Sequence, residues 1–191
     1  MGFASPPAGR RVGRLIAPVL YTYVESPLGE LLLAGRGSAL AFIGLPRGRE
    51  VRSPAEGWRR TAGPFEEARL QIAAYFAGLR RAFDLRLDPG GTPFQRAVWE
   101  RLLAIPYGET LTYGELARRL GRPAAARAVG AANGRNPLPI VIPCHRLLGA
   151  GGRLTGYGGG LEAKRALLEL ERRHGAAGPA ASHSRPAGPR R

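Results

Sequence analysis

Cysteine occurs once in this 191-residue chain, methionine once, tryptophan twice and histidine three times. A single cysteine cannot close an intramolecular disulfide, and with only three histidines it leaves no spacing of the kind that holds zinc. The chain therefore reads as a protein of a reducing compartment, the cytoplasm, with no metal centre. Acidic residues are scarce too: 14 Asp and Glu stand against 29 Lys and Arg, a formal net charge of +15. Such an excess draws polyanions, nucleic acid first and an acidic membrane surface second, although an arginine-rich composition alone gives the same sum. Long apolar runs are also missing. "MGFASPPAGRRVGRLIAPVLYTY" has basic residues and then an apolar run that Pro18 breaks, too short for a secretory signal and followed by no A-x-A site. No other stretch is long and apolar enough to span a bilayer.

What is present divides the chain in four. Residues 1–17 and 174–191 are rich in Gly, Ala, Pro, Ser and Arg and bury too little apolar surface to offset ordering entropy, so both ends are expected to be mobile. Residues 18–88 read as an α+β unit. "VLYTYVES", "GELLLAG" and "ALAFIGL" are short runs separated by turn signals, which suits a small antiparallel sheet. "PFEEARLQIAAYFAGL" spaces Phe65, Ile72, Phe76 and Leu79 at helical intervals, and "AFDLRL" reads as a further strand. After the linker "DPGGTP", residues 89–173 read as mainly helical. Thr92, Pro93 and Gln95 form a capping box with proline at the first helical position. That helix carries Phe94, Val98, Leu102 and Ile105 on one face and must stop before Pro106. Thr112 and Glu115 repeat the device, opening a helix that ends at Gly121, and an Ala-rich helix follows, closed by Gly134. Two short helices around a glycine turn make a helix-turn-helix, though a generic helical hairpin has the same spacing.

The lone cysteine, Cys144, lies in "NPLPIVIPCHRLLG", an Asn-Pro turn and a strand-like β-branched run emptying into Pro-Cys-His-Arg. An isolated cysteine is commonly a small buried hydrophobe. Here His145 and Arg146 follow it directly and could supply the base or positive field that a thiol of pKa about 8.5 needs to act as a nucleophile at neutral pH. Adjacent residues on a strand face opposite ways, so contact between Cys144 and His145 requires a turn or a bridging water.

"NGRNPLPIVIPCHRLLGAGGRLTGYGGGLEAKRALLELE" closely resembles the active-site region of the O6-alkylguanine-DNA alkyltransferases, the methylated-DNA-protein-cysteine methyltransferases. The resemblance runs densely over residues 92–171 and more weakly into "SPLGELLLAG". It implies that Cys144 accepts the alkyl group from O6 of a damaged guanine, and from O4 of thymine, irreversibly and once per protein, and that no cofactor takes part. His145 resembles the residue that takes the thiol proton through water, Glu171 the acid that orients it, and Asn136 the residue tying the preceding turn to the active-site segment. Tyr113 resembles the tyrosine that assists nucleotide rotation and protonates the leaving base, and Arg127 the finger that fills the stack behind a flipped nucleotide. Pro139, Tyr157 and Gly158 resemble the pocket wall. The partner implied is double-stranded DNA containing alkylated bases, met by a monomer with no obligate protein partner and no membrane. The zinc ligands and fused regulatory module of some relatives have no counterpart here. Two other readings have sequence discriminants. A lesion binder that transfers nothing resembles this chain but replaces the cysteine, and a cysteine hydrolase leaves the helix-turn-helix and the charge unexplained.

Overall fold

The computed structural model describes residues 17–47 and 53–175. Both expected mobile ends therefore lie almost wholly outside the described residues. Within them the architecture is α+β, as the patterning implied: a sheet and one helix come first, then a helical half that contains Cys144.

Strands β1 (Leu20–Val24), β2 (Leu31–Arg36) and β3 (Ala39–Gly44) form an antiparallel meander. A fourth strand, β4 (Arg59–Arg60), corrects the all-antiparallel expectation, because it pairs parallel to β1 and makes the sheet order β3-β2-β1-β4. The chain leaves β3 at one edge and crosses to the other, so it arrives running with β1 rather than against it. The central strand β2 is buried from Leu31 through Gly35, which is why its sequence is continuously apolar instead of alternating. "AFDLRL" is not a strand. Only Leu87 bridges, to Leu40, and the flanking Arg86 carbonyl and Asp88 amide exchange hydrogen bonds with Leu40. Buried Gln71 holds the start of this segment instead: its side chain donates to Asp84 O at 2.9 Å and accepts from Asp84 N at 2.8 Å.

A 3-10 turn over Gly63–Phe65 leads into α1 (Glu66–Phe76), whose inward face is Phe65, Ala68, Ile72 and Tyr75. Leu79, expected on that stripe, is 83% exposed, because the helix stops at Phe76 and Gly78 turns the chain with φ +72°. Helix α2 (Pro93–Leu103) begins as its sequence required: Gln95 N donates to Thr92 Oγ1 at 3.3 Å, and Thr92 N to Gln95 Oε1 at 2.8 Å. Its buried face is Val98, Trp99 and Leu102, and Trp99 Nε1 donates to Ala132 O at 3.0 Å, joining α2 to a later helix.

Strand β5 (Leu111–Thr112) runs into α3 (Tyr113–Arg119), again through a complete capping box, Thr112 with Glu115. Gly121 at φ +69° and a 3-10 turn over Pro123–Ala125 connect α3 to α4 (Ala126–Asn133), giving the helix-turn-helix arrangement. Strand β6 (Leu147–Leu148) pairs parallel with β5, and α5 (Gly160–Gly175) closes the described chain, carrying residues 174 and 175 that had been assigned to a mobile tail. One buried apolar cluster runs from Val24, Leu33 and Tyr75 through Val98 and Leu116 to Cys144 and Leu167, so sheet, α1 and the helical half share a core. Each fully buried large apolar side chain there stabilises by about 1.5–3 kcal/mol. Among the described residues no helix is long and apolar enough to cross a membrane.

Candidate active site around Cys144

The segment before Cys144 is a chain of turns, not the expected strand. Asn136 explains this: its Oδ1 accepts from Leu138 N at 3.0 Å and its Nδ2 donates to Ile142 O at 2.8 Å, so a side chain satisfies the backbone where a neighbouring strand would. The loop is tight enough to hold Ile140, a β-branched residue, at φ +76° while burying it. Backbone strain of that kind costs about 1–3 kcal/mol and persists only where the surroundings enforce it. Pro139, buried beside it, forms part of the same wall.

Cys144, His145 and Arg146 then form a single 3-10 turn, closed by Arg146 N donating to Pro143 O at 3.0 Å. The turn resolves the geometric difficulty of neighbouring side chains on a strand. All three residues are buried, Cys144 to 5% exposure. Burial pushes the Cys144 thiol up to about 11, against the hydrogen bond from Asn136 and the charge of Lys164, which pull it down. The thiol is therefore protonated at neutral pH and needs a base to act.

His145 is the next residue of the same turn. His145 Nε2 lies 2.8 Å from Glu171 Oε1, with both side chains fully buried. A carboxylate at this distance fixes the proton on Nε2 and leaves Nδ1 as the ring's acceptor, and Nδ1 is buried with no hydrogen-bond partner among the described residues. Burial lowers the pKa of His145 below its ordinary 6.5, more than Glu171 raises it, so the imidazole is neutral at pH 7. Glu171 comes from α5, which folds back across the site with Lys164, Leu167 and Glu171 on its inward face. Burial alone would raise its carboxyl, but His145 and Arg146 together hold it well below the usual carboxylate range.

Tyr113, the first residue of α3, is half-buried, and its hydroxyl accepts from Thr155 Oγ1 at 3.4 Å. The Tyr157 ring meets the His145 ring edge-on at 6.4 Å between centroids, and its hydroxyl is buried with no hydrogen-bond partner among the described residues. Gly158 is exposed, with open space where a Cβ would stand. Arg127 lies apart from this group, on the solvent face of α4 opposite buried Val129, Ala132 and Asn133. The fold thus brings Cys144, His145, Glu171, Asn136 and Tyr157 together, while Tyr113 is half-buried against Thr155 and Arg127 is exposed on α4.

Three partners of this group, Gly108, Tyr75 and Lys164, were not among the sequence candidates, and Arg146 was expected only as a neighbour lending the thiol a base or positive field. Arg146 grips Glu171 with Nε and Nη2, both at 2.9 Å, and donates through Nη1 to Ile105 O at 2.6 Å. Gly108 N donates to Glu171 Oε2 at 3.1 Å from a backbone at φ +81° that favours glycine. Tyr75 Oη donates to Glu171 Oε1 at 2.7 Å. Lys164 Nζ, buried, donates to the carbonyls of Leu147 and Thr155, tying the strand after the thiol turn to the wall that carries Tyr157. Lys164 had a signal: a cation in phase with Leu167 and Glu171 on an apolar helix face. Tyr75 and Gly108 had none, because nothing local marks a partner 96 or 63 residues away.

Residues 93–173 match the family described as 6-O-methylguanine DNA methyltransferase, DNA binding domain, and residues 19–89 match its ribonuclease-like domain. The chain is 52% identical over 153 residues to a methylated-DNA--protein-cysteine methyltransferase of Mycobacterium bovis, covering 80% of this chain and 92% of that one. It is 49% identical over 151 residues to a protein of the same name from Methanosarcina acetivorans, covering 79% and 97%. A crystal structure of Mycobacterium tuberculosis OGT in complex with DNA superposes with a TM-score of 0.76 at 51% identity, over 81% of this chain and 94% of that one. With a lone buried thiol at the head of a histidine-glutamate pair, and relatives of this identity along both halves, the chain belongs to the 6-O-methylguanine DNA methyltransferase family.

Proposed function

We propose that this protein repairs alkylated double-stranded DNA by moving a methyl or larger alkyl group from O6 of guanine, and from O4 of thymine, onto Sγ of Cys144. The observation that carries the reading is the lone buried thiol in one turn with a buried histidine whose Nε2 lies 2.8 Å from a buried carboxylate. Sγ attacks the alkyl carbon, the carbon–oxygen bond breaks, and its electron pair leaves on the base. His145 Nδ1 takes the thiol proton through a water, Glu171 steadies the imidazolium that forms, and Tyr113 returns a proton to the departing base so that it need not leave as an anion. The thioether has no leaving group that a residue here could displace, so each protein acts once. All the side chains assigned to the transfer come from one chain, which supports a monomer, and a lone functional thiol suits the reducing cytoplasm.

A thiol this buried cannot reach a base inside a duplex, so the nucleotide must rotate out, at a cost of a few kcal/mol. Arg127 then fills the gap, a role that its exposure on α4 supports. Arg127→Ala is expected to slow transfer from duplex DNA by about 10- to 100-fold and to change transfer from a single-stranded lesion far less, since there is no stack to refill. Quench-flow with both substrates checks this; equal losses on the two would remove Arg127 from the flipping step. Affinity for either arginine form should fall steeply with salt.

The pH dependence follows from His145. Its pKa lies below 6.5, so the base is fully available at pH 7 and is lost only as pH falls through that lowered value. Single-turnover transfer should therefore hold its rate down to about pH 6.5 and decline below it. The reading as a whole is tested by intact-protein mass spectrometry after incubation with a duplex bearing one O6-methylguanine: one methyl increment, mapped to the Cys144 peptide and stopping there, is expected. Selective binding with no increment would make the protein a lesion binder instead.

A further inference from the structure

The proton relay proposed above uses residues of the helical half, but its acid is also held by the other half. Tyr75, on α1, is fully buried among Phe76, Phe83 and Tyr107, at centroid distances of 5.4, 5.3 and 5.9 Å, and its hydroxyl reaches Glu171 Oε1 at 2.7 Å. That oxygen is the one that His145 Nε2 meets at 2.8 Å. Arg146 Nη2 shares it at 2.9 Å, while Arg146 Nε and Gly108 N occupy Oε2. Resting on the methyltransferase reading, we propose that Tyr75 is a positioning residue of the relay: by donating to the carboxylate oxygen that faces His145, it sets how strongly Glu171 holds the imidazolium, and so tunes the base that receives the thiol proton.

The donors to Glu171 compete for its charge. A carboxylate oxygen has a limited supply of negative charge, and each donor to it weakens its hold on the others. Tyr75 cannot serve as an anion here, since burial first, and the neighbouring Glu171 charge second, raise its phenol well above 10; it is a donor throughout the working range. Without its hydroxyl, Oε1 is left to His145 and Arg146. The imidazolium is then better stabilised, the imidazole binds its proton more readily, and the base is lost at a higher pH. Glu171 itself stays ionised because Arg146 still grips both oxygens.

Other charged and titratable groups face the pair from every packed element. Arg146 lies on the thiol turn. Tyr107, in the loop after α2, faces Glu171 and is flanked by Arg81; Lys164 on α5, Tyr157 and the thiol face His145. Of these groups only Tyr107 packs directly on the Tyr75 ring, so it supplies the control: its ring meets that of Tyr75, while its hydroxyl is buried with no hydrogen-bond partner among the described residues.

The experiment is single-turnover methyl transfer from pH 5 to 8, read by mass spectrometry, for the full chain, Tyr75→Phe and Tyr107→Phe, with melting temperatures alongside. Tyr75→Phe is expected to move the acid limb upward by about half a unit to one unit, and Tyr107→Phe to leave it in place. An unmoved limb in Tyr75→Phe, with normal transfer by the parent protein, overturns the role of Tyr75 and leaves the methyltransferase reading intact. Equal shifts in both variants overturn it too, since the cause would then be general loosening. A parent protein that transfers nothing, or transfers with no acid limb, sinks the relay and this inference together. Should Tyr75→Phe not fold, 3-fluorotyrosine in place of Tyr75 keeps the hydroxyl and makes it a stronger donor. The limb must then move to lower pH, and no movement overturns the proposal.

Discussion

Cys144→Ala is expected to bind a duplex carrying O6-methylguanine as tightly as the parent protein and to gain no methyl group at any incubation time. The chain has no other thiol, so no neighbouring sulfur can stand in. The side chain is buried at the head of a 3-10 turn closed by backbone hydrogen bonds that the substitution keeps, and what is lost is the sulfur's own acceptor role, toward Asn136 first. Removing one sulfur from that turn costs about 1 kcal/mol of stability, within the ordinary range for a point substitution. It also leaves Arg127 and the helix-turn-helix surface untouched. Binding and chemistry should thus separate cleanly: fluorescence anisotropy unchanged within twofold, intact mass unchanged altogether. A methyl increment surviving in Cys144→Ala would mean that another residue is the acceptor and that the buried thiol is structural. Weakened binding in the variant would instead place the sulfur itself against the lesion in the ground state.

The features legible from sequence were those whose cause is local. Both capping boxes sit where Thr92 with Gln95 and Thr112 with Glu115 require them, because the donor and acceptor are three residues apart. Cys144 was legible through its neighbours, and Glu171 through resemblance alone, since "LEAKRALLELERR" viewed by itself is an ordinary charged helix. What escaped was set by distant partners. Strand β4 exists because β1 offers it a free edge, a fact about Leu20 and Tyr21 and not about Arg59 and Arg60. The β-branched run before Cys144 looked like a strand, but Asn136 satisfies its backbone and Ile140 bends it into a loop. Arg146 was visible as a source of positive field; its actual work, gripping the carboxylate that orients His145, needed the position of α5.

That grip makes Glu171→Gln the substitution with the largest combined effect. Glu171 is fully buried and accepts five hydrogen bonds, from Tyr75, Gly108, His145 and twice from Arg146, whose guanidinium is itself almost entirely buried. Glutamine keeps the size but presents one acceptor oxygen and an amide that must face a donor, and it leaves the Arg146 cation without a counter-charge. Breaking one side of a buried pair in this way costs about 3–5 kcal/mol. For a chain of this length that lowers the melting temperature by about 10 °C. The loss should depend on pH in a defined sense. His145 and Arg146 outweigh burial and hold the Glu171 carboxyl below its ordinary 4.5, so its stabilisation is complete above that value and disappears as pH falls toward the lowered one. Parent and variant should therefore converge in stability below about pH 4. Transfer should suffer separately, by about 100-fold or more, because an amide neither fixes the Nε2 proton of His145 nor stabilises the imidazolium. Pairing the change with Arg146→Met distinguishes the two losses: removing both charges should restore much of the melting temperature while transfer stays slow. If transfer recovered along with stability in the double variant, Glu171 would be a strut for the turn and the relay would have to end at His145.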